Sequence, residues 1–190
     1  NQMRSGLAEM LKHGLITGEG YWNKFQDLSK LSLDDLDDLI YESVIIKRNV
    51  VEEDPLEHGL RKTLNFGHTV GHALESEALS NNEDLLHGEA VAIGLAVETI
   101  ISEMTNNLDA EQCAVVLESL HRIFNLTPIP EAKFNALIEW MRHDKKNDDA
   151  QINFTLLKCI GEAEYDKTAL QDVIEDAMLR YNAYISKPSL

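Results

Sequence analysis

Three of the seven histidines in this 190-residue chain fall within a span of 20 residues. His68 and His72 stand four positions apart in a segment with helical apolar periodicity, so their imidazoles project from one face of a helix on successive turns. His87 opens a second apolar-periodic run and can return to the first helix if residues 80–84 form a tight connection. Histidine clusters of this kind suit zinc, and the spacing by itself suggests that both members of the pair are ligands.

The competing interpretation of this segment is tight packing between helices. A lone histidine on a helix is more often a surface or core residue than a ligand. Gly67, Gly71 and Gly88 flank the three histidines, and each glycine inside a helix costs about 1 kcal/mol. The glycines therefore indicate either close access of a ligand to the helix surface or close approach of two helices.

Several charged residues outside the histidine segment are candidates that spacing leaves open. Glu9 stands among apolar residues with Lys12 one turn later, a pattern that favours an ordinary surface ion pair over a catalytic carboxylate. The other cations of interest can equally be solvated charges; they are Lys47, Arg61, Lys145 and Lys146. Spacing alone gives none of them a role.

The composition excludes several classes of partner. Aspartate and glutamate number 33 against 17 lysine and arginine residues, and the net charge of −16 argues against binding to nucleic acid or to an anionic membrane. No apolar run approaches the roughly 20 residues that cross a bilayer. The two cysteines, Cys113 and Cys159, are spaced neither as a zinc ribbon nor as a disulfide framework. We therefore expect a soluble cytoplasmic protein.

Helical periodicity dominates the chain. Gly18 and Gly20 are expected to end a first helix, and Ser32 to cap a second helix that runs towards Val51. Pro55 separates that helix from the histidine segment. Further helices are predicted for residues 89–104, 109–124, 130–141 and 168–184.

A single region has the pattern of strands. Residues 151–157 begin with alternating polar and apolar side chains, and after Gly161 the segment 162–165 can return as the second strand of a hairpin. No repeat, low-complexity tract or long linker interrupts the chain. The predicted fold is mainly α, one domain over residues 1–190 in which a helical bundle carries one small β-hairpin.

Four segments, in the same order along the chain, resemble the 3-dehydroquinate synthase family. They are residues 5–12, 61–75, 87–94 and 144–146. The chain looks like the C-terminal helical domain of that family, which belongs to the sugar-phosphate cyclase superfamily. In the family this domain follows an N-terminal α/β domain that holds nicotinamide adenine dinucleotide (NAD), and we expect that domain to be absent from this chain.

The resemblance implies a metal site and a substrate site. It assigns a divalent metal, zinc or cobalt, to Glu9, His68 and His87, in place of the pair suggested by spacing. His72 and Lys12 become catalytic residues, His72 as a proton-transfer partner beside the substrate phosphate and Lys12 as a contact to a substrate hydroxyl. The implied substrate-binding residues are Lys47 and Arg61 for a carboxylate, and Asn65 with either Lys145 or Lys146 for a phosphate.

The same resemblance implies an activity. Members of the family are lyases that use NAD and a divalent metal to convert 3-deoxy-D-arabino-heptulosonate 7-phosphate to 3-dehydroquinate and phosphate. This is a step of the shikimate pathway to chorismate and the aromatic amino acids. Because NAD is expected to bind mainly to the N-terminal domain, these 190 residues are expected to bind metal but not to turn over alone. The family also implies a homodimer for the full-length protein.

Two other interpretations stay open. Another sugar-phosphate cyclase, such as a 2-deoxy-scyllo-inosose synthase, would share the metal motif and the NAD chemistry, but only a substrate with a carboxylate needs both Lys47 and Arg61. A non-catalytic helical interaction module would keep its histidines buried and free of metal. The zinc content of the purified chain separates the module from the two enzymes.

Overall fold

The computed structural model describes residues 2–25, 32–144 and 151–186. Its α-helices are α1 (Gln2–Thr17), α2 (Glu19–Trp22), α3 (Leu33–Glu53), α4 (His68–Ser80), α5 (His87–Thr105), α6 (Ala110–Phe124), α7 (Phe134–Asp144) and α8 (Gln171–Ile185). Short 3-10 helices cover Asn23–Phe25, Leu60–Asn65 and Glu131–Lys133. Strands β1 (Gln151–Cys159) and β2 (Glu162–Leu170) form an antiparallel hairpin.

Helix α5 runs through the centre of the fold. Its residues 88–102 are buried apart from Glu89, as expected for a helix that is apolar on every side. Helices α1, α4, α6 and α8 and strand β1 pack around it. Within the described ranges no helix is both long and apolar enough to cross a membrane. Helix α5 is therefore the buried central helix, and α4, which carries His68 and His72, packs against it.

The predicted helical bundle with one hairpin is confirmed, and several predicted helix starts agree with the structure. Ser32 accepts a hydrogen bond from the backbone N–H of Asp35, and the Asp35 side chain accepts the N–H of Ser32, which completes a capping box. Asp109 caps α6 by accepting the N–H groups of Glu111 and Gln112. These starts agree because the acceptors that fix them are local in sequence.

Two predicted boundaries are wrong. Gly20 does not end a helix. Helix α1 ends just before Gly18, and Gly20 lies within the short helix α2. The last helix begins at Gln171, because residues 168–170, predicted to be helical, continue β2 beside the start of β1. Strand pairing satisfies the backbone groups of these residues, and side-chain periodicity does not report such pairing. The predicted turn at Gly161 is present, with a φ of +95°.

The hairpin packs against the 3-10 helix Leu60–Asn65, which leads into the histidine segment. The hydroxyl of Thr155 donates a hydrogen bond to the carbonyl oxygen of Lys62 at 2.9 Å. The Lys62 ammonium contacts the carboxylate of Asp166 at 2.6 Å. Strands distant in sequence thus fix the segment that carries two of the predicted substrate residues.

The two cysteines are free, and Cys113 belongs to the hydrophobic core. Cys113 is buried in the core and Cys159 is half-buried. Burial raises the pKa of the Cys113 thiol to about 12. A thiol with such a pKa is protonated near pH 7 and unreactive, so Cys113 acts as a small apolar core residue.

Candidate metal and substrate site

Three helices converge where Glu9, His68 and His87 meet. Glu9 lies on α1, His68 is the first residue of α4, and His87 is the first residue of α5. One potential ligand atom from each side chain lies within 4.8 Å of the other two, the only such group of three donors in the part of the chain that the structure describes. Zinc–ligand bonds of about 2.1 Å put donor atoms about 3.4 Å apart, so these three side chains can reach one ion after small movements toward it.

The two oxygens of the Glu9 carboxylate have different environments. Oε2 accepts a hydrogen bond from the Lys12 ammonium at 2.8 Å. Oε1 faces Nε2 of His68 at 3.3 Å, yet it is a buried oxygen with no hydrogen-bond partner among the described residues. Burial raises the pKa of Glu9, but the His68 contact and the Lys12 charge outweigh it and hold the pKa well below its usual range. The site therefore presents an ionised carboxylate oxygen that faces His68 and accepts no hydrogen bond from any described residue.

The expectation of a solvated Glu9–Lys12 pair on the protein surface is wrong. The exposed fraction of the side chain is 26% for Glu9 and 3% for Lys12. Burial lowers the pKa of Lys12, and the carboxylate of Glu9 opposes that shift. Lysines are almost never this buried unless they are paired, so the pair belongs to the interior of the site.

His68 and His87 each have one ring nitrogen occupied by a neighbouring oxygen. Nδ1 of His68 lies 3.1 Å from the carbonyl oxygen of Phe66, to which it can only donate. Nδ1 of His87 lies 3.0 Å from Oε1 of Glu75. Both contacts leave Nε2 as the available ligand atom, which is how carbonyl groups and carboxylates orient histidines that bind metals.

His72 lies beside this cluster. Its ring centroid is 5.2 Å from that of His68, and the ring planes are nearly perpendicular. The group of three close donors in the described residues contains Glu9, His68 and His87 and does not contain His72. The fold thus brings together the set implied by the family resemblance, rather than the pair that four-residue spacing suggests.

Arg61 and Asn65 share one carboxylate, that of Glu57. The side-chain amide of Asn65 donates to Oε1 of Glu57 at 2.9 Å, and Nε of Arg61 lies 4.0 Å from Oε2. The loop before them is organised by Asp54, which accepts the backbone N–H groups of Gly59 and Arg61 at 2.7 and 3.1 Å. Both predicted substrate residues are therefore held in a defined arrangement just before α4.

Lys47 is an exposed cation on α3, the helix that packs against α1. After burial, which has the largest effect, the charge of Lys47 also lowers the pKa of Lys12. The like charges of Lys12 and Lys47 repel each other, and a bound anion would relieve that repulsion. Lys145 and Lys146 lie outside the described residues, so their contact with phosphate stays a prediction.

Comparison with known protein families shows which family contains this chain. Residues 6–147 match the family model described as 3-dehydroquinate synthase C-terminal. The chain belongs to this family. The 3-dehydroquinate synthase of Parabacteroides distasonis is 38% identical over 176 residues, which cover 92% of this chain and 50% of the relative. That of Leptospira interrogans is 42% identical over 170 residues, which cover 87% and 46%. The chain spans about half the length of the curated relatives it matches.

Solved structures share the fold of this family member. The 2-epi-5-epi-valiolone synthase of Streptomyces hygroscopicus subsp. jinggangensis, with NAD+ and Zn2+ bound, matches with a TM-score of 0.81 and 24% identity over 96% of this chain and 51% of that chain. A 2-deoxy-scyllo-inosose synthase complexed with carbaglucose-6-phosphate, NAD+ and Co2+ matches with a TM-score of 0.74 and 22% identity over 93% and 52%. The helical bundle with its hairpin is therefore a fold shared among these cyclases.

Three carboxylates contact the candidate site or the residues beside it, although the sequence patterns give them no role. They are Glu57, Glu75 and Glu98. Glu75 stands seven residues after His68, close to two helical turns, and this spacing is a signal that the two share a face. Glu98 is a single acid in the apolar run of α5, and a carboxylate in such a run signals a partner. Glu57 lies in a loop, and nothing in the local sequence points to it.

A fourth histidine, His13, is buried on α1 immediately after Lys12. Its Nδ1 lies 2.8 Å from the hydroxyl of Ser43 on α3, and its Nε2 has no hydrogen-bond partner among the described residues. Burial lowers the pKa of His13 to about 4, and the Lys12 charge acts in the same direction. His13 is therefore neutral in the folded chain near pH 7.

We expect His13 to make the folded chain less stable at pH 5 than at pH 7. The pKa of an unfolded histidine is about 6.5, so over this range the unfolded chain takes up a proton that the folded chain, with a His13 pKa of about 4, does not. The linked loss of unfolding free energy is about 2 kcal/mol. Urea unfolding followed by circular dichroism at both pH values measures it. Between pH 7 and pH 5 the His13→Gln variant should lose about 2 kcal/mol less unfolding free energy than the unmutated chain. An equal loss in both proteins would contradict the prediction.

Proposed function

We propose that Glu9, His68 and His87 hold a divalent metal ion, zinc or cobalt. The observation that carries this proposal is the buried Oε1 of Glu9, which has no hydrogen-bond partner among the described residues and lies 3.3 Å from Nε2 of His68. A buried anionic oxygen without a partner is costly, and a cation removes that cost. One carboxylate and two imidazoles form a donor set that zinc and cobalt accept. Three protein ligands leave one position open, as in catalytic zinc sites.

We infer that the chain is the metal- and substrate-binding part of a 3-dehydroquinate synthase. The supporting observations are the family match over residues 6–147 and the donor cluster at the start of two of its helices. The substrate is 3-deoxy-D-arabino-heptulosonate 7-phosphate, and the products are 3-dehydroquinate and phosphate. NAD is the second cofactor, and we assign its binding mainly to the part of the relatives' length that this chain does not span. The activity belongs to the shikimate pathway, and we place it in the cytoplasm in a homodimer.

The chain's own cations bind and orient the substrate in this proposal. Arg61 and Lys47 match the substrate carboxylate, and the planar guanidinium of Arg61 suits bidentate contact. Lys12 is buried beside the metal ligands and donates to a substrate hydroxyl. Its low exposure keeps water away from that contact. The residues assigned to the phosphate are Asn65 and one of Lys145 and Lys146.

His72 is the residue proposed to transfer a proton at the phosphate end of the substrate. It lies on α4 beside His68, at 5.2 Å between ring centroids, so it is next to the metal ligands without being one. Histidine can both accept and donate a proton near neutral pH. When bound, the metal supplies Lewis acidity that makes a substrate hydroxyl easier to deprotonate, which assists its oxidation by NAD.

A chimera that joins the N-terminal half of the Parabacteroides distasonis relative to this chain tests the function. We expect it to release phosphate from 3-deoxy-D-arabino-heptulosonate 7-phosphate only with NAD and with zinc or cobalt, and we expect this chain alone to release none. Arg61→Ala should lower the rate at least about 30-fold, since a charged contact is lost. Arg48→Ala is the matched control, because Arg48 lies on the surface of α3 beside Glu52.

The alternatives give different results with the same chimera. Glucose 6-phosphate is the comparison substrate, because a carba analogue of it is bound in the similar 2-deoxy-scyllo-inosose synthase. Turnover of glucose 6-phosphate in place of the heptulosonate would overturn the proposed substrate. A folded chimera without metal and without activity on either substrate would indicate the non-catalytic interaction module.

Glu75→Ala is expected to weaken zinc binding about 10- to 100-fold, the range typical of partners that orient a metal-bound histidine. The Glu75 carboxylate lies 3.0 Å from Nδ1 of His87 and fixes the direction of its other nitrogen. Glu77→Ala on the same helix is the control, since Glu77 instead accepts a hydrogen bond from Trp140 at 3.1 Å. Competition against a zinc-binding dye measures both affinities. Equal affinities in the two variants would show that Glu75 does not orient a ligand.

A further inference from the structure

Glu98 is a carboxylate buried at the centre of the fold. It lies on α5, its exposed fraction is 0%, and its neighbours in the chain, Val97 and Thr99, are buried as well. Removing a carboxylate from water costs several kcal/mol unless partners satisfy it. The partners of Glu98 therefore show what the residue does.

Both Glu98 oxygens accept backbone N–H groups from the start of α4. Oε2 accepts the N–H of Gly67 at 2.7 Å, and Oε1 accepts the N–H of Val70 at 3.0 Å. The first N–H groups of a helix have no partner within the helix, and a side-chain oxygen at the N-cap usually accepts one of them. Here the N-cap residue is Gly67, which has no side chain. Glu98 supplies the capping oxygens from a neighbouring helix.

The backbone of α5 also packs closely against the carbonyl group of Gly67. Gly67 has a φ of +81°, a conformation that favours glycine. A Cβ at Gly94, one turn before Glu98, would lie 2.0 Å from the carbonyl oxygen of Gly67. Gly94 thus makes room for this carbonyl while Glu98 binds the N–H. Helix α5 thereby sets both the place and the orientation of the residue before His68.

We propose that Glu98 is a positioning residue for the metal site, which fixes the first turn of α4 and through it the imidazole of His68. His68 is the first residue of α4 and lies between the two amides that Glu98 binds. A carboxylate holds these amides more firmly than a neutral side chain would, because its charge complements the N-terminal end of the helix. The inference rests on the proposed metal-binding function.

The ring of His68 depends on this turn for its orientation. Its Nδ1 is 3.1 Å from the carbonyl oxygen of Phe66, and Phe66 directly precedes Gly67. A displaced first turn would move the ring and its anchoring carbonyl together. Nε2 of His68 would then leave its place 3.3 Å from Oε1 of Glu9, and the donor set would no longer converge.

Cobalt(II) titration of the full 190-residue chain tests the proposal, with Glu98→Gln compared to Ser102→Ala. Glutamine keeps one acceptor oxygen and places an NH2 group against the second backbone N–H. Ser102 is the matched control, since it is equally buried on α5 and accepts an N–H at 2.9 Å from Leu157 of β1. Its hydroxyl donates to the backbone carbonyl of Glu98 and not to the carboxylate under test. We expect Glu98→Gln to weaken cobalt binding at least about 10-fold and to change the visible absorption of the bound ion. Ser102→Ala should lower thermal stability and leave both unchanged.

Backbone hydrogen exchange gives a second readout that needs no metal. In the metal-free chain the amides of Gly67 and Val70 are expected to be protected, because both donate to a buried carboxylate. Glu98→Gln should accelerate exchange at both amides at least about 10-fold, by the loss of one charge-assisted contact. Ser102→Ala should leave these two amides unchanged.

The outcomes separate this inference from the proposed function. Unchanged cobalt affinity in Glu98→Gln, or an equal loss in both variants, would overturn the positioning role. If the unmutated chain binds no cobalt, the proposed metal site fails, and exchange at Gly67 and Val70 decides whether Glu98 fixes the turn. If Glu98→Gln does not fold, the exchange rates of Gly67 and Val70 in the unmutated chain test the inference. Protected amides support it, and amides that exchange as fast as exposed ones overturn it.

Discussion

His68→Ala and His87→Ala are each expected to lower the affinity of the chain for zinc at least about 100-fold, which is more than the loss of an orienting partner costs. Each substitution removes one of three donors whose ligand atoms lie within 4.8 Å of one another. Zinc sites of proteins have three or four protein ligands, and two residues do not complete such a site. Competition against a zinc-binding dye measures the loss.

His72→Ala is the matched control for both variants. It removes the same kind of side chain, and it lies on the helix of His68 with a ring centroid only 5.2 Å from that of His68. We expect it to keep the zinc affinity but to slow phosphate release by the chimera about 100- to 10,000-fold, as for a lost general acid or base. If His72→Ala loses zinc as completely as His68→Ala does, the four-residue pair binds the metal and the proposed ligand set is contradicted.

Gly94→Ala is expected to lower the free energy of unfolding by about 1–3 kcal/mol, as for other overpacked interiors. The added Cβ would lie 2.0 Å from the carbonyl oxygen of Gly67 and 2.9 Å from the backbone nitrogen of Gly71. Backbone atoms cannot rotate away as a flexible side chain can, so α4 has to move away from α5. Urea unfolding followed by circular dichroism measures the loss.

Gly6→Ala provides the comparison for Gly94→Ala. Gly6 also lies in a helix, but a Cβ there would meet nothing within 4 Å. Alanine favours a helix over glycine by up to about 1 kcal/mol, so this variant should be neutral or more stable than the unmutated chain. Equal stability of the Gly94→Ala and Gly6→Ala variants would show that close approach of α4 to α5 is not required by the fold.

The parts of the fold that the sequence predicts well are those with local signals. Ser32 and Asp109 start helices because each accepts N–H groups a few residues ahead. Gly161 makes the hairpin turn because it tolerates a positive φ. The start of α8 is not predictable from local signals, because residues 168–170 become strand only through pairing with residues 151–153 of β1.

At the candidate site, local sequence signals do not predict which charged residues are buried. The spacing of Glu9 and Lys12 predicts an ordinary surface pair, but Lys12 is buried and Glu9 is half-buried because other elements, among them α3 and α5, pack against α1. The family resemblance supplies the ligand role of Glu9, and the structure adds the surroundings that make the role physically reasonable. Such burial is a property of the assembled helices and is not encoded in the spacing of residues 9 and 12.

The residues that support the site are tertiary contacts, and this is why sequence patterns miss them. Glu98 reaches Gly67 across 31 positions, and Thr155 reaches Lys62 across 93. Neither contact follows from helical or strand periodicity, which describes neighbours within one element. Both lie next to the segment that ends in His68. The chemistry-bearing residues are therefore recognisable in the sequence, while the groups that position them emerge only from the packing of α4, α5 and the hairpin.

X-ray absorption at the zinc edge of the dialysed, zinc-loaded chain tests the proposed site most directly. We expect nitrogen and oxygen donors at about 2.0–2.1 Å from the zinc ion, with the scattering of two imidazole rings and no sulfur. This is the signature of Glu9, His68 and His87 with one position left for a substrate oxygen. A chain that retains no zinc, or a sulfur donor at about 2.3 Å from either cysteine, would contradict it.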